Sequence, residues 1–468
     1  MSTEIEFKTV NTNDNEATPA ADSPKESYEH QNNEEKSYPD DSVAEKKETE
    51  KTPVSEPDGT MNNLQFAINI MKGIAGTGSL TIPNAIYSVG ILPALGLFVA
   101  VTLLYIYTSY ILITVQETMK TRKNVGQGVI RTNNDYARIC YVALGKPGYY
   151  IFNFAVLLTM YGAAIGTMIV MTDFLTGLPI MTNNPELKRY IMQGILTVLA
   201  IILCLLKDPS LLVTISSFGL FALVISFILL FVYGVTNFSF SFKREYLFPL
   251  SASAFFNKIG IYIYSLGFTL FLLSQLKYVK RACRPHVTKT ISVSVTIMAI
   301  IYAIIGLAFL LLFVGSPKGV TGNILAVLPE KSVYNVIVSI LMVVTCIGSF
   351  PLYLAPAHEV VEGSWGEPKM NRYFITSPRF VFFRIVETAL VSVVAKLLPS
   401  FSAILGFIGN SSSVLVASIL PCVIHIVLMK KQLSTLNIVG DVALASVSVV
   451  IMVICTIVSF KSMIEELK

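Results

Sequence analysis

The chain has 468 residues, 53% hydrophobic and only 14% charged, where a soluble domain carries about a quarter charged. Residues 1–60 hold 16 of the 30 acidic residues but only 6 of the 35 basic ones, so the remainder is net basic. Beyond residue 60 the apolar runs are hydrophobic all round, and many exceed the ~20 residues that cross a bilayer, which excludes a soluble core of amphipathic helices.

Residues 1–60 read as a disordered acidic cytosolic tail. They are poor in aliphatic residues and rich in Asn, Glu, Ser, Pro and Lys, too little apolar surface to offset the entropy of ordering. No basic n-region or early apolar stretch marks a signal peptide, so the first span is expected to engage the insertion machinery itself. Solvated low complexity is the favoured reading of the tail; a cytosolic partner for it stays open.

Residues 61–468 read as an all-α, multi-pass membrane domain of about eleven spans. These cover roughly 64–89, 92–115, 149–178, 190–206, 211–235, 255–277, 289–314, 332–357, 380–398, 402–428 and 438–460. Pro93, Lys207-Asp208-Pro209 and Pro399 separate closely spaced neighbours. With the N-terminus cytosolic, the inner loops hold 18 Lys and Arg and the outer ones 10, the bias expected of an N-in chain. The cysteines have no metal-ligand spacing and read as small core residues.

Two spans carry interruptions. The first packs Gly73, Gly76, Thr77, Gly78 and Ser79 ahead of Pro83. Each Gly there weakens a helix by ~1 kcal/mol relative to Ala, and Pro removes a backbone donor. The sixth carries Gly260 and Gly267, a milder interruption five spans later. Paired broken helices mark an inverted-repeat transporter, with residues 61–236 as one repeat, 255–431 as the other and 437–468 as a final helix. Unwound backbone is tolerable at mid-membrane only where it is buried in protein or faces a wet cavity. Amides at a half-helix N-terminus suit a carboxylate and half-helix carbonyls an ammonium, so a zwitterionic amino acid offers both partners. Gly162 and Gly166 of the third span instead read as close-packing residues.

On these residues the chain resembles the amino acid/auxin permease superfamily, in particular its proton-coupled amino acid transporter branch. The resemblance is carried by Lys72-Gly73-Ile74-Ala75-Gly76-Thr77-Gly78 with Leu80 and Ile82-Pro83. It continues through Phe350-Pro351-Leu352-Tyr353 with Glu359, Arg384, Pro399, Ile408-Gly409-Asn410-Ser411 with Pro421, and Asp441-Val442-Ala443-Leu444. It implies eleven helices in a five-plus-five inverted repeat, transport of small neutral amino acids, and proton coupling at the plasma membrane or the lysosome or vacuole. It also implies that the third span lines the cavity, where the Tyr161 ring covers the ligand or packs in the core. The substrate-binding candidates are Gly73, Gly76, Thr77, Gly78, Ser79, Tyr161, Ser265 and Gly267.

Three departures from the resemblance stand out, and the first two bear on the energy source. Asn69 stands where relatives place a His, Ser274 where they carry a Glu, and no cysteine falls in an expected outer loop to form the disulfide of many animal relatives. Neither Asn69 nor Ser274 can titrate, so uptake is expected to depend little on a pH gradient unless Glu359 or Asp173 has taken the proton role. Asn69, Asp173, Ser274 and Glu359 are therefore the coupling candidates. Elsewhere Glu387 is expected to pair with Arg384 one turn away, Asp441 to stabilise the first turn of the last span, and His425 to be a packed neutral side chain. No nucleophile–base pair, phosphate loop, cofactor motif or nucleic-acid patch appears, so neither an enzyme nor a cofactor is expected. The reading is a secondary transporter of small neutral amino acids in contact with membrane lipid, proton-coupled or facilitative. The alternative is an amino-acid-binding nutrient receptor with little flux.

Overall fold

The computed structural model describes residues 59–121, 134–178, 184–206, 210–330, 332–363, 365–366, 368–371, 373–398 and 400–467. The tail expectation for residues 1–58, the Lys207-Asp208-Pro209 break and the Pro399 break lie outside them. The described chain is helical, with only isolated β-bridges. Nine of its helices are long and apolar enough to cross a membrane. The two other expected spans are helical as well but differ in kind. The first is interrupted: α1 (Asn63–Ile74) gives way to a 3-10 turn (Thr77–Thr81) and then α2 (Ile82–Val89). The ninth, α11 (Pro378–Leu397), carries Arg379, Arg384, Glu387 and Lys396, too much charge for a purely apolar span.

Local chemistry sets the helix ends. Asn62 and Gln65 form a reciprocal capping box on α1, at 2.8 and 3.0 Å. Pro83 sits in the first turn of α2, where its missing N–H costs nothing. Gly90 ends α2 with φ +87 and presses on the Phe248 backbone, so both the dihedral and the space require glycine. α3 (Ile91–Thr121) and α4 (Asp135–Thr176) follow. α4 runs further than the third expected span, because a shorter helix before it joins at a kink where Gly145 has φ 67 and Pro147 follows. Next come α5 (Pro185–Cys204), α6 (Ser210–Asn237), then α7 (Ala252–Ser265) and α8 (Thr269–Leu276), the two halves of the second broken helix. α9 (Val287–Phe313), α10 (Val333–Glu362) and α11 complete the next three positions. α12 (Phe401–Ile408) and α13 (Leu420–Met429) are joined by two π-helical turns, and α14 (Thr435–Leu467) ends the chain.

The halves interlock as an inverted repeat does: α3 packs on α9, α4 on α10, α5 on α11, and α2 on α7. A short parallel bridge between Met61 and Val279 ties the start of the first broken helix to the end of the second, through Met61 N–H to Tyr278 O (2.8 Å) and Lys280 N–H to Met61 O (3.0 Å).

Gly260 departs from expectation. It lies inside the continuous helix α7, not at a break, and its backbone meets Gly406, Gly409 and Asn410 so closely that no Cβ would fit. It is a packing glycine, as are Gly162 against Ile408 and Gly166 against Phe401. Asn237 is exposed at the end of α6, whereas Asn410 is fully buried and donates to Ser459 Oγ at 2.8 Å.

Candidate substrate cavity and the buried ion network

Each break leaves backbone that a helix would have used. After Ile74, Gly76 is extended (φ −131, ψ −169), and the 3-10 turn starts afresh at Thr77. Ser79 N–H and Oγ–H both return to Gly76 O, at 3.1 and 2.7 Å, and Thr81 Oγ1 donates to Gly78 O at 2.8 Å. Tyr302 of α9 donates to Ile74 O at 2.9 Å, satisfying one carbonyl at the end of α1. In the second break Gly267 N–H reaches Tyr264 O at 3.0 Å, and Tyr105 of α3 donates to Ile263 O at 2.6 Å.

The two breaks face each other. A Cβ on Gly78 would stand 2.8 Å from Ser265 Oγ, so the turn passes directly over the end of α7. Between them lies a cavity of about 90 Å³. Of the expected binding residues, Gly73, Gly76, Thr77, Gly78, Ser265 and Gly267 line it. Ser79 is buried with its hydroxyl turned back on Gly76. Tyr161 lies outside the wall: its hydroxyl donates at 2.7 Å to Glu387 of α11, while its neighbours Thr159 and Met160 face the cavity. The wall carries no Asp, Glu, Lys, Arg or His among the described residues. Ser265 Oγ is buried and has no hydrogen-bond partner among the described residues. A buried hydroxyl left so is costly, and a bound ligand group would satisfy it.

Sequence reasoning did not single out Tyr105, Tyr264 or Phe271 for the wall. Tyr353 also lines it; its signal was the Phe350-Pro351-Leu352-Tyr353 motif. The π-helical turns Gly409–Ser413 and Leu415–Ile419 bring Ser413 and Val416 to the cavity. Widened turns of this kind are frequent at functional sites.

None of the four coupling candidates reaches the cavity wall. Asn69 donates from Nδ2 to Met61 Sδ at 3.1 Å, and Ser274 is partly buried on α8. Asp173 pairs with Arg189 Nη1 at 2.8 Å, with both side chains more than a third exposed, beside a separate polar cavity. Glu359 is exposed on α10.

The buried charges, among them His358 and Glu362 on the same helix, are in partnerships other than those expected. Arg384 does not pair with Glu387. It binds Glu362 through two nitrogens, at 2.8 and 2.7 Å, and donates from Nη1 to Cys204 O at 2.7 Å. Glu387 instead meets His358 Nε2 at 2.6 Å and accepts from Tyr161. Asp441, expected in the first turn of the last span, lies fully buried in the second turn of α14. It accepts from Tyr107 at 2.5 Å and lies 2.7 Å from His425 Nδ1, so the packed His425 has an acidic partner.

The fold and the family are independently visible by comparison. Mhp1 in its inward-facing conformation aligns over 88% of this chain and 91% of its own, at 11% identity with a TM-score of 0.52, a likeness of fold. MhsT in complex with L-phenylalanine aligns over 86% of this chain and 100% of its own, at 14% identity and a TM-score of 0.45. Amino acid transporter AVT3B of Arabidopsis thaliana is 22% identical over 414 residues, covering 85% of this chain and 93% of that one. Amino acid transporter AVT3A of the same plant is 26% identical over 202 residues, and there the alignment spans only 42% of this chain and 43% of the relative. Residues 59–465 match the family model described as transmembrane amino acid transporter protein, and with nearly the whole membrane domain matched, the chain belongs to that family.

Proposed function

We propose that the chain carries small neutral amino acids across a membrane as a secondary transporter, through the cavity between its two helix breaks. The observation that supports this most directly is the make-up of the wall: backbone ends and hydroxyls, with no charged side chain among the described residues. Such a wall can hold an ammonium and a carboxylate by half-helix carbonyls and amides, leaving no countercharge for a third ionised group. Lysine or glutamate would bury that extra charge unpaired, at heavy cost. The volume supports small substrates too. At roughly 10–15 Å³ per water, about 90 Å³ holds some six to nine water-sized groups, the range of alanine, serine and proline.

Uptake by the purified chain in liposomes tests the reading. Labelled alanine, serine and proline are expected to enter saturably and compete with one another, while lysine and glutamate do not compete. Absence of saturable uptake of any neutral amino acid would overturn it. We place the N-terminus in the cytosol, so a cysteine introduced at exposed position 237 is expected to react from the opposite face. Labelling from the cytosol alone would reverse the orientation.

A further inference from the structure

We propose that His358 and Glu387 together form the binding site for a co-transported proton, with Tyr161 as its hydroxyl partner on the cavity side. The assignment rests on the transport reading above and deepens it.

The geometry is that of a shared proton. His358 Nε2 lies 2.6 Å from Glu387 Oε2, and Tyr161 donates to Oε1 at 2.7 Å. The His358 and Glu387 side chains are 7% and 3% exposed. At that depth the number of protons decides the charge. With His358 protonated the pair is neutral; without that proton a carboxylate is buried beside a neutral imidazole.

Among the described residues no neighbouring cation absorbs the difference. Arg384, one turn along α11, is held bidentately by Glu362 through Nε and Nη2, and its third nitrogen, Nη1, donates to Cys204 O. The other facing groups add no charge: Tyr161 from α4, the Cys204 thiol from α5, and Thr388 and the Phe383 ring from α11. α10 itself adds Glu362, already paired, and Glu359, which is exposed. α6, the other helix packed along α10, has no charged residue in 210–237. Lys207 and Asp208 lie outside the described residues. The cluster therefore alternates between neutral and one negative charge on a single N–H, with no other bond made or broken. Histidine is the side chain suited to such an exchange near neutral pH, and His–carboxylate chains inside membranes mark proton routes.

The pair also adjoins the cavity without entering it. Tyr161 follows Met160, a wall residue, on α4, and His358 lies five residues after Tyr353, a wall residue, on α10. A change of charge at the pair thus bears on two helices that shape the substrate site. The second buried trio, His425, Asp441 and Tyr107, joins α13 and α3 to α14, and no residue of α14 lines the cavity. It serves as an internal control.

The test uses the full chain in liposomes with labelled alanine and two readouts: accumulation under a tenfold proton gradient, and counterflow exchange at equal pH, which needs no gradient. The wild type is expected to accumulate alanine several-fold only with the gradient. His358→Gln and Glu387→Gln are expected to lose that response while counterflow stays within about threefold, and His425→Gln to retain both. Tyr161→Phe covers the case in which those two variants do not reach the liposomes. Loss of the hydroxyl removes one of the two partners of the Glu387 carboxylate, so the pH profile of gradient-driven uptake is expected to move by more than half a unit. A gradient response that persists in His358→Gln, or an unmoved profile in Tyr161→Phe, overturns the assignment. A wild type that exchanges alanine but ignores the gradient also overturns it and leaves the transport reading standing. Absence of counterflow in the wild type removes both.

Discussion

Two stretches of α10, less than two turns apart, sit in opposite electrostatic settings. Around Tyr353 the wall is uncharged and its polarity is backbone and hydroxyl, whereas His358 and Glu362 join a buried cluster of four ionisable side chains with Glu387 and Arg384. The cavity keeps its polar groups available, as the unpartnered Ser265 hydroxyl shows. The Arg384–Glu362 pair of the cluster leaves almost nothing available: each carboxylate oxygen of Glu362 has a partner. A site that must exchange its ligand keeps hydrogen-bonding capacity in reserve. A scaffold that must hold its shape saturates it. Substitutions at the cavity and at the Arg384–Glu362 pair should therefore fail in different ways, function without stability in the first and stability before function in the second.

The largest effect on uptake is expected at Gly78. It is buried under Ser265, and any Cβ would press on the hydroxyl at 2.8 Å and on Ser265 Cα at 3.3 Å. A branched side chain has nowhere to go but into the cavity, and it restricts backbone freedom as well. Gly78→Val is expected to cut alanine uptake about a hundredfold or more, equivalent to ~3 kcal/mol, while membrane expression stays near wild type. Unchanged affinity would show that the break does not hold the substrate.

At the Arg384–Glu362 pair the order reverses. Removing one member of a buried ion pair strands the other, at about 3–5 kcal/mol. Arg384→Ala should therefore lower the thermal stability of the purified protein sharply, leaving Glu362 without its two donors. Glu362→Leu combined with Arg384→Met should recover most of the loss, since neither charge is then stranded. A double variant no more stable than Arg384→Ala alone would mean that the arginine acts through Cys204 O instead. A smaller loss, about 1–3 kcal/mol, is expected for Asp441→Asn, which keeps its shape but weakens acceptance from Tyr107 and His425. Uptake per folded molecule should remain close to wild type, because that trio is remote from the wall. A selective loss of uptake would bring α14 into the transport cycle.

The same contrast explains what could be read before any coordinates. The helix breaks were legible because they are written locally: glycines crowded within a few residues, then Pro83, each weakening helix on its own. Gly267 could be read in the same way, but Gly260 could not be told from it. What separates them is a neighbour at Gly406 and Gly409, nearly 150 residues later. The cluster was illegible for the same reason. The i,i+3 rule joined Arg384 to Glu387 along α11, yet each is claimed by α10, by Glu362 and His358 respectively, and Glu387 also by Tyr161, 226 residues away. Local spacing favours a pair by only a few tenths of a kcal/mol, whereas burial makes an unmatched charge far more expensive, so the tertiary partner prevails. Glu359 carried a motif but is exposed, and the buried residues are its neighbours on the helix, a distinction of face that the motif did not contain.

The smallest effect is also the most diagnostic, at Ser265. Its hydroxyl is buried, aimed at the turn over α7 and unpartnered among the described residues, so the folded state gains nothing from it without a ligand. Replacing it with Ala removes one polar atom and leaves no protein group stranded, because no protein group uses it. The ligand-free protein should be as stable as wild type or slightly more so. A bound amino acid that donates to or accepts from this oxygen loses that bond, worth about 0.5–1.5 kcal/mol, so half-saturation by alanine should rise by roughly two- to tenfold. The stabilisation that saturating alanine confers on unfolding should shrink in step, since binding to the native state alone raises stability as affinity does. Destabilisation of the empty protein with unchanged alanine affinity would instead make Ser265 a packing residue, and the cavity's reserve of hydrogen bonds would then have to lie in the backbone of the two breaks.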